Sequence, residues 1–341
     1  MSSDELPSIS LALQGGGAHG AFTWGVLDAL LEAGVERFDG ISGTSAGAMN
    51  ALCLAHGLMV GGPEGAREAL SGFWNAIADS APFPASDGAA MAPAFKLMLQ
   101  WTQYLSPEQI NPFDLNPLRD VLEARFDFAR LRRDCPVKLF IAATHANSGK
   151  LRLFRNAELT ADTLLASACL PTIHRTIQID GEPYWDGGYS ANPAVFPLFY
   201  ECESADILLI LLTPLRYNET PDSAEDIRVR LRELAFNSTF LREMRMFAHL
   251  REQIGTSPIP DWVLDRLPLA RVERRLSRLR FHAISADTVL GEMPADSKLS
   301  VSHAFFNDLF TVGRAHARRW LTSHRQDLGR TATLDLAKLF Y

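Results

Sequence analysis

The stretch GTSAG at residues 43–47 decides the fold that we predict for this chain. It places Ser45 in a G-x-S-x-G motif, between a short strand candidate at residues 38–42 and an Ala-rich segment that begins at Ala46. This pattern is typical of a sharp strand-to-helix turn, where glycines relieve crowding and the serine hydroxyl projects. The N-terminus of the helix favours a developing anion. The stretch therefore predicts a serine nucleophile, with an ordinary tight turn as the alternative.

A glycine-rich turn precedes this motif in the chain. Residues 9–13 form an apolar run of strand length, which leads into the segment QGGGAHG at residues 14–20. Residues 21–31 then show helical apolar spacing. Two successive strand–turn–helix units predict an α/β fold with a mostly parallel central sheet. Residues 136–143, 206–213 and 280–285 are predicted to add further strands.

A hairpin and an aspartate follow downstream. Two short strand candidates flank Asp180-Gly181, a dipeptide that favours a two-residue hairpin turn. The second strand leads directly into Asp186-Gly187-Gly188. Acyl transfer requires a nucleophile, a base and preorganised donors for the oxyanion. Ser45 is the candidate nucleophile, Asp186 the candidate base, and the tri-glycine turn can aim successive backbone N–H groups into one cavity.

The first turn also satisfies a competing pattern. Residues 15, 17 and 20 form G-x-G-x-x-G after a strand, and Asp39 lies at about the distance expected for a ribose contact. The alternative function is therefore a nucleotide-binding oxidoreductase. Against it, the second strand runs immediately into the G-x-S-x-G turn, which a dinucleotide-binding domain does not need.

A second alternative keeps the hydrolase and adds a late histidine, His282 or His303, to form a triad. In the α/β-hydrolase fold, several strands precede the nucleophile. Here one clear strand and the glycine turn precede Ser45. A serine–aspartate dyad is therefore the preferred interpretation.

Composition limits the classes of function. The 341 residues are 47% hydrophobic and carry a formal net charge of −7, so we expect no nucleic-acid partner. The four cysteines are scattered and form no C-x-x-C pair, which predicts neither a metal site nor disulfides, and no cofactor is expected. The longest aliphatic run, residues 207–212, is too short to span a bilayer. We expect a cytoplasmic protein, with peripheral membrane contact as a further expectation.

Two other regions have a distinct composition. Prolines bracket residues 82–112, whose apolar helix candidate at residues 95–105 predicts either a lid or an insertion packed on the core. Arginines are frequent in the helical patterns at residues 225–252 and 269–280, where a solvated face is favoured over contact with an anionic membrane. Without repeats or clear linkers, residues 1–341 are predicted to form a single domain.

The order of these motifs resembles that of the patatin-like phospholipase family. The resemblance covers at least residues 9–200: the glycine-rich segment, the G-x-S-x-G turn, Ala166-Ser167 up to Pro171, and Asp-Gly-Gly after a hairpin. It implies a three-layer α/β/α fold related to cytosolic phospholipase A2 catalytic domains, a Ser–Asp dyad, no metal, and a lipid or acyl-ester substrate. On this sequence, Ser45 would be the nucleophile, Asp186 the base, and the backbone of Gly15, Gly16 and Gly17 the oxyanion hole. Residues 201–341 would complete the domain.

One position departs from the family pattern. Many members have Lys or Arg before the last glycine of the first motif, where this chain has His19. A histidine is only partly charged at pH 7. This departure favours a neutral acyl ester more than the family name suggests. His19 and Thr44, which precedes the nucleophile, are predicted to lie close to the substrate.

Overall fold

The structure of the chain is a computed structural model that describes residues 6–80, 106–217, 219–255 and 271–341. Most of the expected lid or insertion at residues 82–112, including its helix candidate at residues 95–105, lies outside these described residues. The short helix Pro107–Ile110 is the part of that region that the structure describes as helical.

The described part of the chain is built around a central sheet of eight strands. Its strands are β1 (Ile9–Leu13), β2 (Phe38–Thr44), β3 (Lys138–His145), β4 (Leu151–Arg155), β5 (Ile177–Ile179), β6 (Glu182–Asp186), β7 (Asp206–Leu211) and β8 (Arg280–Ser285). The order across the sheet is β5-β6-β3-β2-β1-β7-β8, and β4 pairs with β3. Strands β3, β2, β1, β7 and β8 are parallel, whereas β4, β5 and β6 pair in antiparallel fashion. This confirms an α/β fold with a mixed, mostly parallel sheet.

Helices cover both faces of the sheet. They are α1 (Gly20–Glu32), α2 (Ala46–Asp79), α3 (Pro107–Ile110), α4 (Pro117–Arg125), α5 (Phe128–Asp134), α6 (Ala161–Ser167), α7 (Phe196–Glu201), α8 (Ala224–Gly255), α9 (Arg271–Arg278), α10 (Asp287–Leu290), α11 (His303–His324) and α12 (Leu336–Phe340). One apolar cluster packs α1, α2 and α11 together. A second cluster packs α7, α8, α9 and α12. With the sheet between them, the two clusters give the three layers that the family resemblance implies.

The order in which strands are added across the sheet changes direction at β1. From β1 the chain proceeds through β2 to β3, on one side of β1, and later returns to β7 and β8 on its other side. The loops after β1 and β7 therefore diverge at the carboxyl ends of two adjacent parallel strands. Such a topological switch point leaves a crevice between the two loops.

Two local predictions can be compared with the structure. The hairpin is confirmed, because Asp180 and Gly181 have φ values of 53° and 79° between β5 and β6. The helix expected to begin at Ala46 is α2, which is interrupted by non-helical backbone at Gly61 and Gly62 just before Pro63. Glycine and proline together account for this kink. No helix in the described residues is long and apolar enough to cross a membrane.

Candidate active site

Ser45 occupies a strained turn between β2 and α2. Its φ of 53° and ψ of −122° lie outside the conformations that residues other than glycine usually adopt. The Ser45 amide donates a hydrogen bond to Ser167 Oγ at 2.9 Å, which secures the turn from α6. Gly47 packs against the backbone oxygen of Leu13 with no room for a Cβ. The backbone therefore holds the Ser45 side chain at the carboxyl end of β2, as the G-x-S-x-G motif predicts.

Asp186 lies at the carboxyl end of β6 and is 1% exposed. Burial raises the pKa of this carboxyl group to about 7, although hydrogen bonds from the Gly188 amide and the Ser45 side chain act in the opposite direction. The Gly188 amide lies 2.7 Å from Asp186 Oδ1. No cation in the described part of the chain contributes to this balance. A carboxylate with this pKa can accept and return a proton near neutral pH.

The glycine turn after β1 lies beside the serine. A Cβ on Gly15 would come within 2.9 Å of Ser45 Cβ, so the absence of a side chain at Gly15 allows the two loops to touch. The Gly15 amide donates to Asn192 Oδ1 at 2.7 Å. The amides of Gly16 and Gly17 have no hydrogen-bond partner among the residues that the structure describes. Of the three predicted oxyanion donors, Gly15 is already engaged, and Gly16 and Gly17 are free to bind another acceptor.

Comparison with known proteins assigns this arrangement to a family. A family model for patatin-like phospholipases matches residues 11–199, which is more than half of the chain. The chain belongs to the patatin-like phospholipase family. The matched residues include the glycine turn, the serine turn and Asp186. A search of curated proteins gives no significant match.

Three solved structures show a distant similarity to this patatin-like chain. VipD from Legionella pneumophila is 15% identical, with a TM-score of 0.36 over 92% of this chain and 68% of VipD. The type III effector ExoU is 14% identical, with a TM-score of 0.31 over 92% of this chain and 53% of ExoU. A chain in the structure of the SpcU–ExoU complex from Pseudomonas aeruginosa is 16% identical, with a TM-score of 0.30 over 95% of this chain and 79% of the matched chain.

Sequence reasoning missed the side chain that joins two loops of this patatin-like site. Asn192 is 3% exposed and pairs with the peptide of Gly15, accepting from its amide and placing Nδ2 3.5 Å from its oxygen. Asn192 follows Asp186 by six residues, so it connects the aspartate loop to the glycine turn. The Asn-Pro pair after Asp-Gly-Gly was the only visible signal, and it does not identify the contact.

Thr44 and His19 lie close to the catalytic candidates in sequence, and the structure buries both. Thr44 Oγ1 donates to the backbone oxygen of Ala191 at 2.8 Å, so this hydroxyl ties the serine strand to the loop that carries Asn192. His19 Nε2 lies 2.8 Å from Ser297 Oγ. Burial, followed by the charge of Lys298, lowers the pKa of His19 to about 3. The imidazole is therefore neutral at pH 7 and not partly charged as the sequence alone suggested.

Residues that supported the two alternatives lie elsewhere in the fold. Asp39 is the second residue of β2, at its amino end, where it binds Lys138 Nζ at 3.1 Å and the Ser204 amide at 2.8 Å. A ribose-binding acid belongs at the carboxyl end of the second strand, which Ser45 occupies here. His282 contacts Asp206 at 3.0 Å, and His303 contacts Asp79 at 2.8 Å. Neither histidine pairs with Asp186.

Proposed function

We propose that this patatin-like protein is a serine lipid acyl hydrolase of the phospholipase A, lysophospholipase or esterase type. It would cleave carboxylic esters through a Ser45–Asp186 dyad and need no cofactor. One observation supports the proposal most strongly: a serine lies on a strained turn and its side chain acts on a buried aspartate, whose pKa is raised to about 7 by burial. Peripheral contact with a lipid surface belongs to the same proposal, because the substrate of such an enzyme resides there.

In the first step, the carboxylate of Asp186 accepts the hydroxyl proton of Ser45 while Oγ attacks the ester carbonyl carbon. The tetrahedral intermediate collapses with cleavage of the bond to the alcohol oxygen. Asp186 returns its proton to that oxygen, and the alcohol leaves. The product is an acyl ester on Ser45. The raised pKa suits Asp186 to both halves of this proton transfer.

The intermediate places a negative charge on the former carbonyl oxygen. Free backbone amides at Gly16 and Gly17 are suited to receive it, since preorganised N–H donors stabilise an oxyanion more than they stabilise the neutral carbonyl. The N-terminus of α2 adds a favourable partial charge at Ser45. Gly15 supports the site differently, through its contact with Ser45 and its hydrogen bond to Asn192.

In the second step, water replaces the alcohol. Asp186 accepts a proton from the water as its oxygen attacks the acyl carbon, and the proton then passes to Ser45 Oγ as the acyl–serine bond breaks. The fatty acid leaves and the free dyad is restored. The proposed steps use only the protein's own groups and water.

Labelling with a fluorophosphonate probe tests this function. We expect wild-type protein to be labelled and Ser45→Ala to be unlabelled. Ser42→Ala is the matched control, because Ser42 is a buried serine on β2, the strand that leads to Ser45, and its hydroxyl has no partner in the described structure. Equal labelling of wild type and Ser45→Ala would refute the assignment. Absence of labelling in wild type would favour a catalytically inactive binding protein, and a change in nicotinamide fluorescence would favour the oxidoreductase.

A further inference from the structure

A cavity of about 390 Å³ lies beside the glycine turn at the carboxyl edge of the sheet. His19 borders it from the segment after β1, Leu212 from the segment after β7, and Lys298 from the segment after β8. A Cβ on Gly16 would lie 3.1 Å from Leu212 Cδ1, and Gly17 packs on the backbone oxygen of Lys298. The cavity wall therefore contacts the same two residues whose amides are free.

The position and size of this cavity are those of a ligand site. It lies at the topological switch point between β1 and β7, where open α/β sheets bind their ligands. Its volume falls within the range of about 300–1,000 Å³ that small-molecule sites occupy. Ser45 and Asp186 do not line it; they lie at the ends of β2 and β6, on the other side of β1.

A buried polar group at this cavity has an unused hydrogen-bonding atom. His19 is 2% exposed, and its Nε2 is bound to Ser297. Its Nδ1 is buried and has no partner within the described ranges. Because buried polar atoms are normally hydrogen-bonded, a polar ligand in the cavity would satisfy this nitrogen.

The inner part of the cavity is positively charged. Arg230 and Lys298 are partly buried and share one carboxylate, Glu233, at 3.7 and 3.2 Å. This inner group carries one net positive charge. The guanidinium of Arg230 also lies 3.5 Å from the ring centroid of Tyr217, which holds it in place.

The mouth carries the opposite charge. Glu219, Asp222 and Asp226 line the cavity and are exposed. The order is therefore positive inside, next to the glycine turn, and negative outside. A phosphodiester followed by an ammonium group has the complementary order, with one negative charge near the glycerol and one positive charge further out.

We propose that this cavity binds the zwitterionic headgroup of a phospholipid, with its phosphate near Lys298 and Arg230 and its ammonium near Asp226. This inference rests on the proposed function, because it places the leaving alcohol of the ester beside the glycine turn. Anionic headgroups are disfavoured, since they bring no positive charge to the acidic mouth. A soluble phosphodiester with an ammonium group, such as glycerophosphocholine, presents the same chemistry and would compete.

Hydrolysis of three substrates tests this inference: phosphatidylcholine and phosphatidylglycerol in the same detergent micelles, and p-nitrophenyl butyrate, which has no headgroup. We expect wild type to prefer phosphatidylcholine. Lys298→Met should lower kcat/KM for phosphatidylcholine by about tenfold relative to the butyrate, as expected for a lost charged contact. The matched control is Lys138→Met, which removes a partly exposed lysine paired with Asp39 at the opposite edge of the sheet.

A second variant tests the mouth. Asp226→Asn should raise the ratio of phosphatidylglycerol to phosphatidylcholine hydrolysis by about threefold, because one repulsive charge is removed. Asp120→Asn is its control, since Asp120 is also an exposed acid in the first turn of a helix. Glycerophosphocholine should inhibit phosphatidylcholine hydrolysis competitively. Equally strong inhibition by inorganic phosphate would reduce the cavity to an anion site and overturn the zwitterion assignment.

The two proposals fail in different ways. Butyrate hydrolysis that survives in Ser45→Ala would overturn the dyad. Hydrolysis that depends on Ser45, with no headgroup preference or with equal losses on all three substrates in Lys298→Met, would overturn the headgroup site and leave the dyad standing.

Discussion

Two buried aspartates lie at opposite ends of the parallel strands, and their surroundings differ. Asp186 is the last residue of β6 and pairs with Ala143, near the carboxyl end of β3, whereas Asp206 is the first residue of β7, at its amino end. Each is 1% exposed. Burial disfavours the charged form of both carboxyl groups, so burial alone would raise both pKa values.

The partners of each carboxylate decide the outcome. Burial acts to raise the pKa of Asp206, but hydrogen bonds from His282, Arg280 and the Gly329 amide lower it to about 2. Arg280 contributes two contacts, at 2.7 and 3.0 Å. Asp186 has a backbone amide and the Ser45 hydroxyl instead, and its pKa rises to about 7. The ion-paired aspartate therefore anchors the fold, whereas the unpaired one is available for proton transfer.

Removing either member of the dyad should give the largest effect. Ser45→Ala and Asp186→Asn are each expected to lower kcat for p-nitrophenyl butyrate by about 10³-fold or more, because the two groups act as a unit. Thermal unfolding should stay close to wild type, since Asp186 has no ion pair to lose. If the double variant is no slower than the single variants, Ser45 and Asp186 act together. If the two losses multiply in the double variant, the two residues act independently, which would contradict the dyad.

The corresponding change at the other edge should act on stability. Asp206→Asn is expected to lower the free energy of unfolding by about 3 kcal/mol, because the buried contacts to Arg280 and His282 are weakened. Urea unfolding would measure this loss, and kcat for the butyrate should stay within about threefold of wild type. A large fall in kcat with unchanged stability would erase the distinction between the two aspartates.

The pH dependence of this anchor follows from the lowered pKa. The pKa of Asp206 falls from 3.8 to about 2 on folding, so its stabilisation is present above about pH 4 and is lost as the pH falls toward 2. The difference in stability between wild type and Asp206→Asn should shrink over that range. A constant difference would contradict the lowered pKa.

A substitution of Asn192 tests whether the hydrogen bond that holds the glycine turn affects catalysis when Asp186 and Asp206 are both left intact. Asn192→Ala removes the hydrogen bond to the Gly15 amide, and we expect kcat to fall about 30-fold with little change in KM, as for misplaced oxyanion donors. Asn156→Ala is the control, because Asn156 also pairs with backbone, at the amino end of β3. Equal effects of the two variants on kcat would indicate a general loss of structure.

The change of rate with pH should be smaller than the effects of the variants on the dyad and Asn192, but it tests the pKa of Asp186 most directly. Because its pKa is raised from 3.8 to about 7, the reactive carboxylate is lost as the pH falls below 7. At pH 6, kcat/KM for the butyrate should therefore be about tenfold below its plateau, with the loss increasing at lower pH, because kcat/KM reports the pKa of the free enzyme. A profile that stays flat to about pH 4, the range of an unperturbed carboxyl group, would contradict the raised pKa.

Local patterns in the sequence predicted much of the site. A glycine on each side of Ser45, three glycines after the first strand, and Asp180-Gly181 before Asp186 each restrict the backbone within a few residues. The structure forms all three turns at the expected places. Such features are readable because φ preferences and apolar spacing act over short stretches of chain.

Contacts between distant residues were not readable. The hydrogen bond from Gly15 to Asn192 joins residues 177 positions apart, and the one from Ser45 to Ser167 joins residues 122 positions apart. Neither pair has a local signature. The neutral state of His19 depends in the same way on burial among residues from the far end of the chain.

The sequence by itself determined the family, the mostly parallel sheet and the identity of the candidate nucleophile and base. It could do so because turn chemistry and strand periodicity are local properties of the chain. Only the tertiary structure decided how the pKa of each of these two aspartates is shifted. Asp186 and Asp206 have the same side chain and the same exposed fraction. Burial raises the pKa of Asp186, whereas folding brings Arg280 and His282 to the carboxylate of Asp206 and lowers its pKa.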